Sequence, residues 1–280
     1  MTRTTSAYDK HILELVNEIS SLANKSDSNF RPKRPNLAAI EDIVSFDVEE
    51  PTTPGPQIDS VSQYGEDLII IAVLNALRAR EFQSKSLTYL DVGCNHPIST
   101  NNTWKLYCQG FSGVLVEPNP LLIPIIADAR PRDTLLDCGV KYDNEHDRAT
   151  LFVPNRHELA SFSNDFVQEY YKDRKLPRGE VVLHEVVLRD INEIIKTELS
   201  DRSPDFLSID VEALDFPMLT TLDLNKYRPS LICIEPSDRF IRLDGERNSE
   251  RIKRYLADFD YMQIASTAAN DIYVNVFDLL

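Results

Sequence analysis

Glycine is scarce: 8 glycines stand among 280 residues. A glycine that follows an apolar run therefore marks a turn with a special backbone demand. A dinucleotide-binding turn uses three, as G-x-G-x-x-G, to bring a pyrophosphate onto a helix N-terminus. The loop in LDVGCNHPISTNNTW (90–104) has one, so the diphosphate cradle is missing. Basic residues are also short. Lys and Arg number 30 against 45 Asp and Glu, a formal charge of −15. Phosphate affinity comes from Lys and Arg, which argues against a general nucleic-acid or anionic-membrane binder. Long apolar runs are absent too. The longest, 68–77, contains Asn75 and falls far short of the roughly 20 residues a membrane span needs. The opening MTRTTSAYDK has no apolar signal-type core. Cys94, Cys108, Cys138 and Cys233 show no C-x-x-C spacing and read as buried small side chains in a reducing compartment. These shortages together predict a cytoplasmic protein with no membrane span and no nucleic-acid partner.

What is present falls into two parts. Residues 8–24 carry Ile12, Leu15, Val16, Ile19 and Leu22 at helical spacing. This predicts an amphipathic helix that docks on its own domain or joins a homo-oligomer. Residues 25–60 are polar and rich in proline, without a period, as in an extended arm or linker. From 61 to 280 the pattern is regular. A helix is expected at 62–80, with its apolar face at Leu68, Ile71, Ala72, Leu74 and Leu77. Apolar runs at 87–92, 113–117, 134–140, 205–211 and 230–235 read as strands covered on both faces. Helix-like segments lie between them, which predicts an α/β fold with a doubly wound, mostly parallel sheet. A helix at 249–258 precedes YMQIAS and DIYVNVF. Their short connection demands a C-terminal antiparallel hairpin. Residues 148–188 break the alternation. They predict a short strand pair around a helix, with 155–180 inserted over the ligand crevice and Phe162, Phe166, Tyr170 and Tyr171 shaping a pocket.

In an open parallel sheet, ligands sit outside the C-terminal ends of the strands. Asp91 and Gly93 end the first strand, Glu117 the second and Asp137 the third. A ligand with adenine and ribose but no phosphate needs no glycine triplet, and S-adenosylmethionine is one. Asp91 suits its amino-acid end, Glu117 suits the ribose hydroxyls, and Asp137 suits the adenine amine. The polar tail of the first loop, 95–102, is expected to face the transferred methyl group.

The chain resembles the FkbM-type methyltransferase family. The likeness rests on SQYGEDLII (62–70), LDVGCNHPISTNNTWKLYCQGFSGVLVEPNP (90–120), DFLSIDVEALDFPML (205–219), YRPSLICIE (227–235) and the final DIYVNV. It implies a Rossmann-like class I methyltransferase, preceded here by the helical arm. It also implies O-methylation of a sugar, glycan or natural-product-like small molecule. Under it Asp91, Gly93, Asn95, Glu117, Asn119 and Asp137 line the cofactor site, and Gln63, Tyr64 and Glu66 close over it. The family commonly reads D-V-E-G where this chain has Ala213, a position at which alanine is disfavoured if φ is positive.

Asp210 and Glu212 stand two apart at a strand end, which puts both side chains on one side if the strand persists. Glu235 ends the next strand, and Asp215 follows in the loop. Such carboxylates serve as a general base or hold a hard cation such as Mg²⁺. The set Asp210, Glu212 and Glu235 is the candidate metal site, and His96 is a second candidate base. A nicotinamide-dependent oxidoreductase or epimerase is the main competitor, opposed by the missing glycines and the terminal hairpin. A non-catalytic cofactor-binding member is the other.

Overall fold

The computed structural model describes residues 60–80, 86–175, 179–238 and 246–279. The chain divides into two units, 1–59 and 60–280. The helix expected at 8–24, its oligomeric role and the proline-rich arm lie outside the described residues.

The second unit is built on a 7-stranded sheet in the order β3-β2-β1-β7-β8-β10-β9. The central strands are β1 (Thr88–Val92), β2 (Ser112–Val116), β7 (Phe206–Ile209) and β8 (Leu231–Ile234). All of these pair in parallel. The chain runs outward from β1 through β2 to β3 (Thr134–Leu136), then returns to β7 on the other side of β1. That reversal is the switch point where open α/β sheets bind ligands. At the far edge, β10 (Asp271–Asn275) lies antiparallel between β8 and β9 (Tyr261–Ser266), the expected reversed hairpin. Every residue of β7, β8 and β10 is buried, as continuous apolar strands covered on both faces should be.

Helices flank this sheet. Helix α1 (Glu66–Arg80) precedes β1, α2 (Trp104–Cys108) follows it, and α3 (Ile123–Ala129) follows β2. Helix α5 (Ile191–Glu198) shows why the local sequence works. Asp190 caps it by accepting from the Asn192 and Glu193 N–H groups, while Ile191, Ile194 and Ile195 form its buried stripe. Helices α6 (Asp215–Thr221) and α7 (Asn248–Ala257) complete the layer. Among the described residues, no helix is long and apolar enough to cross a membrane.

Three expectations need correction. The helix at 62–80 begins at Glu66, and it buries Ile69, Ile70 and Leu74, while Leu68, Ile71, Ala72 and Leu77 are half-buried. The unbroken run from 68 to 74 has no period from which to choose a face. The strand expected at 134–140 splits at Asp137. Its second half, β4 (Gly139–Val140), leaves the main sheet and pairs with β6 (Val181–Arg189). Strand β6 also pairs antiparallel with β5 (Arg148–Pro154), and α4 (Asn164–Asp173) lies between them in sequence. The helix-bearing strand pair is therefore present, with a third strand added. Phe162 is half-buried against Leu151, Val153 and Val186, and the other three aromatics do not line an open pocket. Phe166, Tyr170 and Tyr171 are buried with Leu159 and Val167 in a second small core that also holds Ala213.

Candidate active site

The loop after β1 folds over the end of β2. The Gly93 and Cys94 N–H groups donate to Val116 O at 2.9 and 3.2 Å. Asn95 N then donates to Glu117 Oε2, and Asn119 N donates to Glu117 Oε1, both at 2.8 Å. One buried carboxylate thus organises two strand-end loops and keeps further lone pairs for a ligand. Burial pushes Glu117 up to about 7, against the two N–H donors that pull it down. Gly93 has φ +77, and a Cβ there would lie 1.9 Å from the Asp210 carbonyl oxygen. The lone glycine lets the loop after β1 touch the backbone that leaves β7.

Beneath that loop runs a buried polar network. Thr103 Oγ1 and Asn101 Nδ2 donate to Asp91 Oδ2 at 2.7 and 3.4 Å. Arg130 supplies donors from behind, and Asp133 closes its other side. Asn102, also buried, reaches Ser208 Oγ at 3.3 Å. The tail of the loop therefore turns inward at Asn101, Asn102 and Thr103, which corrects the expectation that it faces the methyl group as far as Asn102. Arg130 and Asp133 were not legible as site residues, because an Arg-Pro-Arg-Asp sequence after a helix reads as a solvated end.

On the other side of the switch point, Asp210, Glu212 and Glu235 each bring a carboxylate oxygen within 4.8 Å of the others. The reason differs from the expected one. Strand β7 ends at Ile209, and Glu212 and Ala213 then take positive φ values of 54° and 88°. A strand does not bring Glu212 back; a left-handed turn does. Asp215 holds that turn by accepting from Val211 N and Ala213 N at 2.9 and 3.1 Å. Ser161, from the insertion, donates to Glu212 O at 2.8 Å. Asp215 is thus a positioning group beside the cluster. Alanine occupies the left-handed position where glycine is usual, held by these bonds and by the small core around it.

All three clustered carboxyls lie above the ordinary carboxylate range. Burial and then a hydrogen bond from Glu235 set Asp210, which stands at about 6. Burial and the charges of their neighbours push Glu212 and Glu235 higher still. Asp215 is raised to about 7 by burial and by Asp210.

The FkbM methyltransferase domain model matches residues 91–262, well over half of the chain. The chain belongs to the FkbM methyltransferase family. Its chemistry is S-adenosylmethionine-dependent methyl transfer. No curated protein sequence matches significantly. Among solved structures, the chain is similar to a TehB-like SAM-dependent methyltransferase from Corynebacterium glutamicum. The two share 10% identity over 78% of this chain and 89% of that one, with a TM-score of 0.37, a likeness too distant to bear on the site.

The residues present fit the family's cofactor. Asn119 is fully buried, yet its Nδ2 has no hydrogen-bond partner among the described residues, so a donor beside Glu117 awaits an acceptor. Gln63 and Tyr64 are exposed ahead of α1. Glu66 is buried and committed: it accepts from Tyr64 N at 2.8 Å and from Thr267 Oγ1, in the β9–β10 loop, at 2.6 Å. It clamps α1 to the terminal hairpin and stands within electrostatic reach of Asp210. Its neighbour Asp67 accepts from Ser60, Val61 and Ser62. Asp137 is exposed at the break between β3 and β4.

His96 does not fit the base role. Its Nδ1 accepts from Ile98 N at 3.1 Å and Ser99 N at 2.9 Å. The neutral ring then carries its proton on Nε2 and has no free lone pair. Burial lowers its pKa further. The imidazole anchors the turn. The expectation that no Tyr-x-x-x-Lys pair occurs, which opposed the oxidoreductase reading, needs correction: Tyr171 and Lys175 have that spacing, although Tyr171 is buried in the second core.

Proposed function

We propose that this family member methylates a hydroxyl on a sugar, glycan or natural-product-like small molecule. The convergence of the Asp210, Glu212 and Glu235 carboxylates at the switch point supports this reading. The backbone of that cluster touches the loop after β1 at Gly93. When bound, the cofactor supplies an electrophilic methyl on a sulfonium sulfur. The chain holds an acceptor oxygen behind that methyl and removes its proton. Positioning supplies much of the rate in such a displacement. Glu117 and Asn119 take the ribose side, Asp91 and Asn95 the amino-acid side, and Asp137 the adenine side. Gln63 and Tyr64 form the rim, and Glu66 holds the start of α1 beneath them.

The proton goes from the acceptor hydroxyl to the cluster as the O–C bond forms and the S–C bond breaks. Asp210 is the best placed base. At about 6, its pKa keeps it ionised at neutral pH yet close enough to working pH to accept a proton in the transition state. Glu212 orients the acceptor from its left-handed turn. The same oxygen-only donor set suits a hard divalent cation such as Mg²⁺, which would lower the pKa of a coordinated hydroxyl.

The test is release of S-adenosylhomocysteine from S-adenosylmethionine across a panel of sugars, glycans and phenolic or polyol acceptors, with and without Mg²⁺. Asp210→Asn is expected to lose at least about 100-fold in kcat, within the usual range of a general base. Its affinity for S-adenosylhomocysteine should stay within a few-fold. Unimpaired turnover by Asp210→Asn on any accepted substrate rules out the base assignment.

A further inference from the structure

Arg130 heads the fully buried side chains of the described residues. Its guanidinium is fully engaged. Nε donates to Asp133 Oδ2 at 2.8 Å. Nη1 donates to Pro97 O at 3.0 Å and Asn101 Oδ1 at 3.3 Å. Nη2 donates to Tyr89 Oη at 3.0 Å and Thr103 Oγ1 at 3.1 Å. It also lies over the Tyr107 ring at 4.7 Å. Three of these acceptors, Pro97, Asn101 and Thr103, belong to the loop after β1, and Thr103 and Asn101 are the two donors to Asp91.

The charges do not balance. One guanidinium serves two buried carboxylates, Asp133 and Asp91. Asp133 is satisfied by Arg130, by Tyr89 Oη at 2.7 Å and by Gly113 N at 2.9 Å. Asp91 receives only neutral donors and a cation one residue removed. A buried network with one negative charge in excess is costly unless a cation completes it. The ammonium of an amino-acid ligand is such a cation.

We propose that Arg130 is a positioning residue for the cofactor, acting through Thr103 and Asn101 to keep the Asp91 carboxylate charged and aimed at the ammonium of the cofactor's amino-acid end. This rests on the reading that Asp91 faces that end. Burial raises the Asp91 carboxyl, while Thr103, Arg130 and Asn101 pull it down. Removing those donors therefore raises it further, and ligand binding then weakens as pH falls through the new value. Other groups face Asp91 from the packed elements: Asp133 before β3, Glu117 after β2, Asp210 after β7, Cys94 in its own loop and Cys233 on β8. Glu117 and Asp210 titrate in the same window, so the readout is each variant's pH profile against that of the wild type.

The experiment is calorimetric titration of the full chain with S-adenosylhomocysteine from pH 6 to 8.5. Thr103→Val cuts the bridge and leaves Arg130 in place. It is expected to weaken binding about tenfold at pH 7, the equivalent of one pKa unit, with the deficit narrowing toward pH 8.5. Arg130→Met with Asp133→Asn removes both charges and should behave alike. Arg130→Lys keeps the charge and should retain the wild-type pH profile. Folded variants with wild-type affinity, or with a deficit that does not change with pH, overturn the inference and leave Arg130 a packing residue. If the Arg130 double variant does not fold, Thr103→Val decides. Absence of binding by the wild type instead removes the cofactor reading, and this inference with it.

Discussion

Replacing Gly93 by alanine should damage stability and cofactor binding together. The added Cβ meets the Asp210 carbonyl oxygen at 1.9 Å, the Asp210 carbonyl carbon at 3.0 Å and Val211 Cγ1 at 3.3 Å. The first contact is more than 1 Å short of the 3.0 Å that Cβ atoms keep. It is made with backbone, so no rotamer relieves it. The left-handed φ adds about 1–2 kcal/mol, and overpacking of this kind costs about 1–3 kcal/mol. The expected loss is therefore about 2–5 kcal/mol, a large share of the roughly 5–15 kcal/mol that holds a domain folded. Gly110→Ala is the control. Gly110 also has positive φ, at +92, but nothing lies within 4 Å of its added Cβ, so it should lose only the conformational part. Urea unfolding and S-adenosylhomocysteine titration on both variants decide. The reasoning is refuted if Gly93→Ala costs no more than Gly110→Ala and binds the ligand as the wild type does.

The crowded carboxylates make stability fall with pH. Asp210, Glu212, Asp215 and Glu235 all have raised folded pKa values, so their protonated forms favour folding. That contribution is complete below the unfolded carboxylate range and is lost as pH rises through about 6 for Asp210 and about 7 for Asp215. Tm should be higher at pH 5.5 than at pH 8, and Glu212→Gln should raise Tm at pH 8 by about 2–4 °C, the equivalent of about 1 kcal/mol after solvent screening. An unchanged Tm between the two pH values counts against the raised carboxyls of this cluster. Ala213→Gly trades relief of a left-handed alanine, about 1–2 kcal/mol, against a lost buried methyl of about 0.8 kcal/mol and a more flexible unfolded chain. It should change stability by less than about 1 kcal/mol in urea unfolding, whereas a loss above about 2 kcal/mol would show that the turn depends on the methyl. Ser161→Ala removes the bond to Glu212 O and should lower kcat with little change in cofactor affinity. A matched loss of both would make Ser161 a general packing residue.

Much of the frame was legible because its cues are local. Strand-end acids and the one loop glycine announced the switch point, and the short 267–270 connection announced the reversed strand. What failed lacked a local cue. TLLDCGV carries apolar residues on both sides of Asp137, so nothing in it says that the chain leaves one sheet for another at that residue. Asn101 and Asn102 were expected to face the transferred methyl group with the rest of the loop tail, yet they and Thr103 bond to Asp91, Arg130 and Ser208 on other elements. The carboxylate cluster was named from spacing that assumed a persisting strand. It forms through two left-handed residues, held by Asp215 and Ser161.

The most direct test is calorimetric titration with S-adenosylhomocysteine and, separately, NAD⁺, on the wild type and on Glu117→Ala. The account predicts micromolar binding of the homocysteine compound, no binding of NAD⁺, and loss of at least about tenfold in Glu117→Ala. Glu117 joins the loops after β1 and β2 through Asn95 N and Asn119 N. Binding of NAD⁺ in preference, or a Glu117→Ala protein that binds S-adenosylhomocysteine as the wild type does, would contradict the placement of the cofactor at these strand ends.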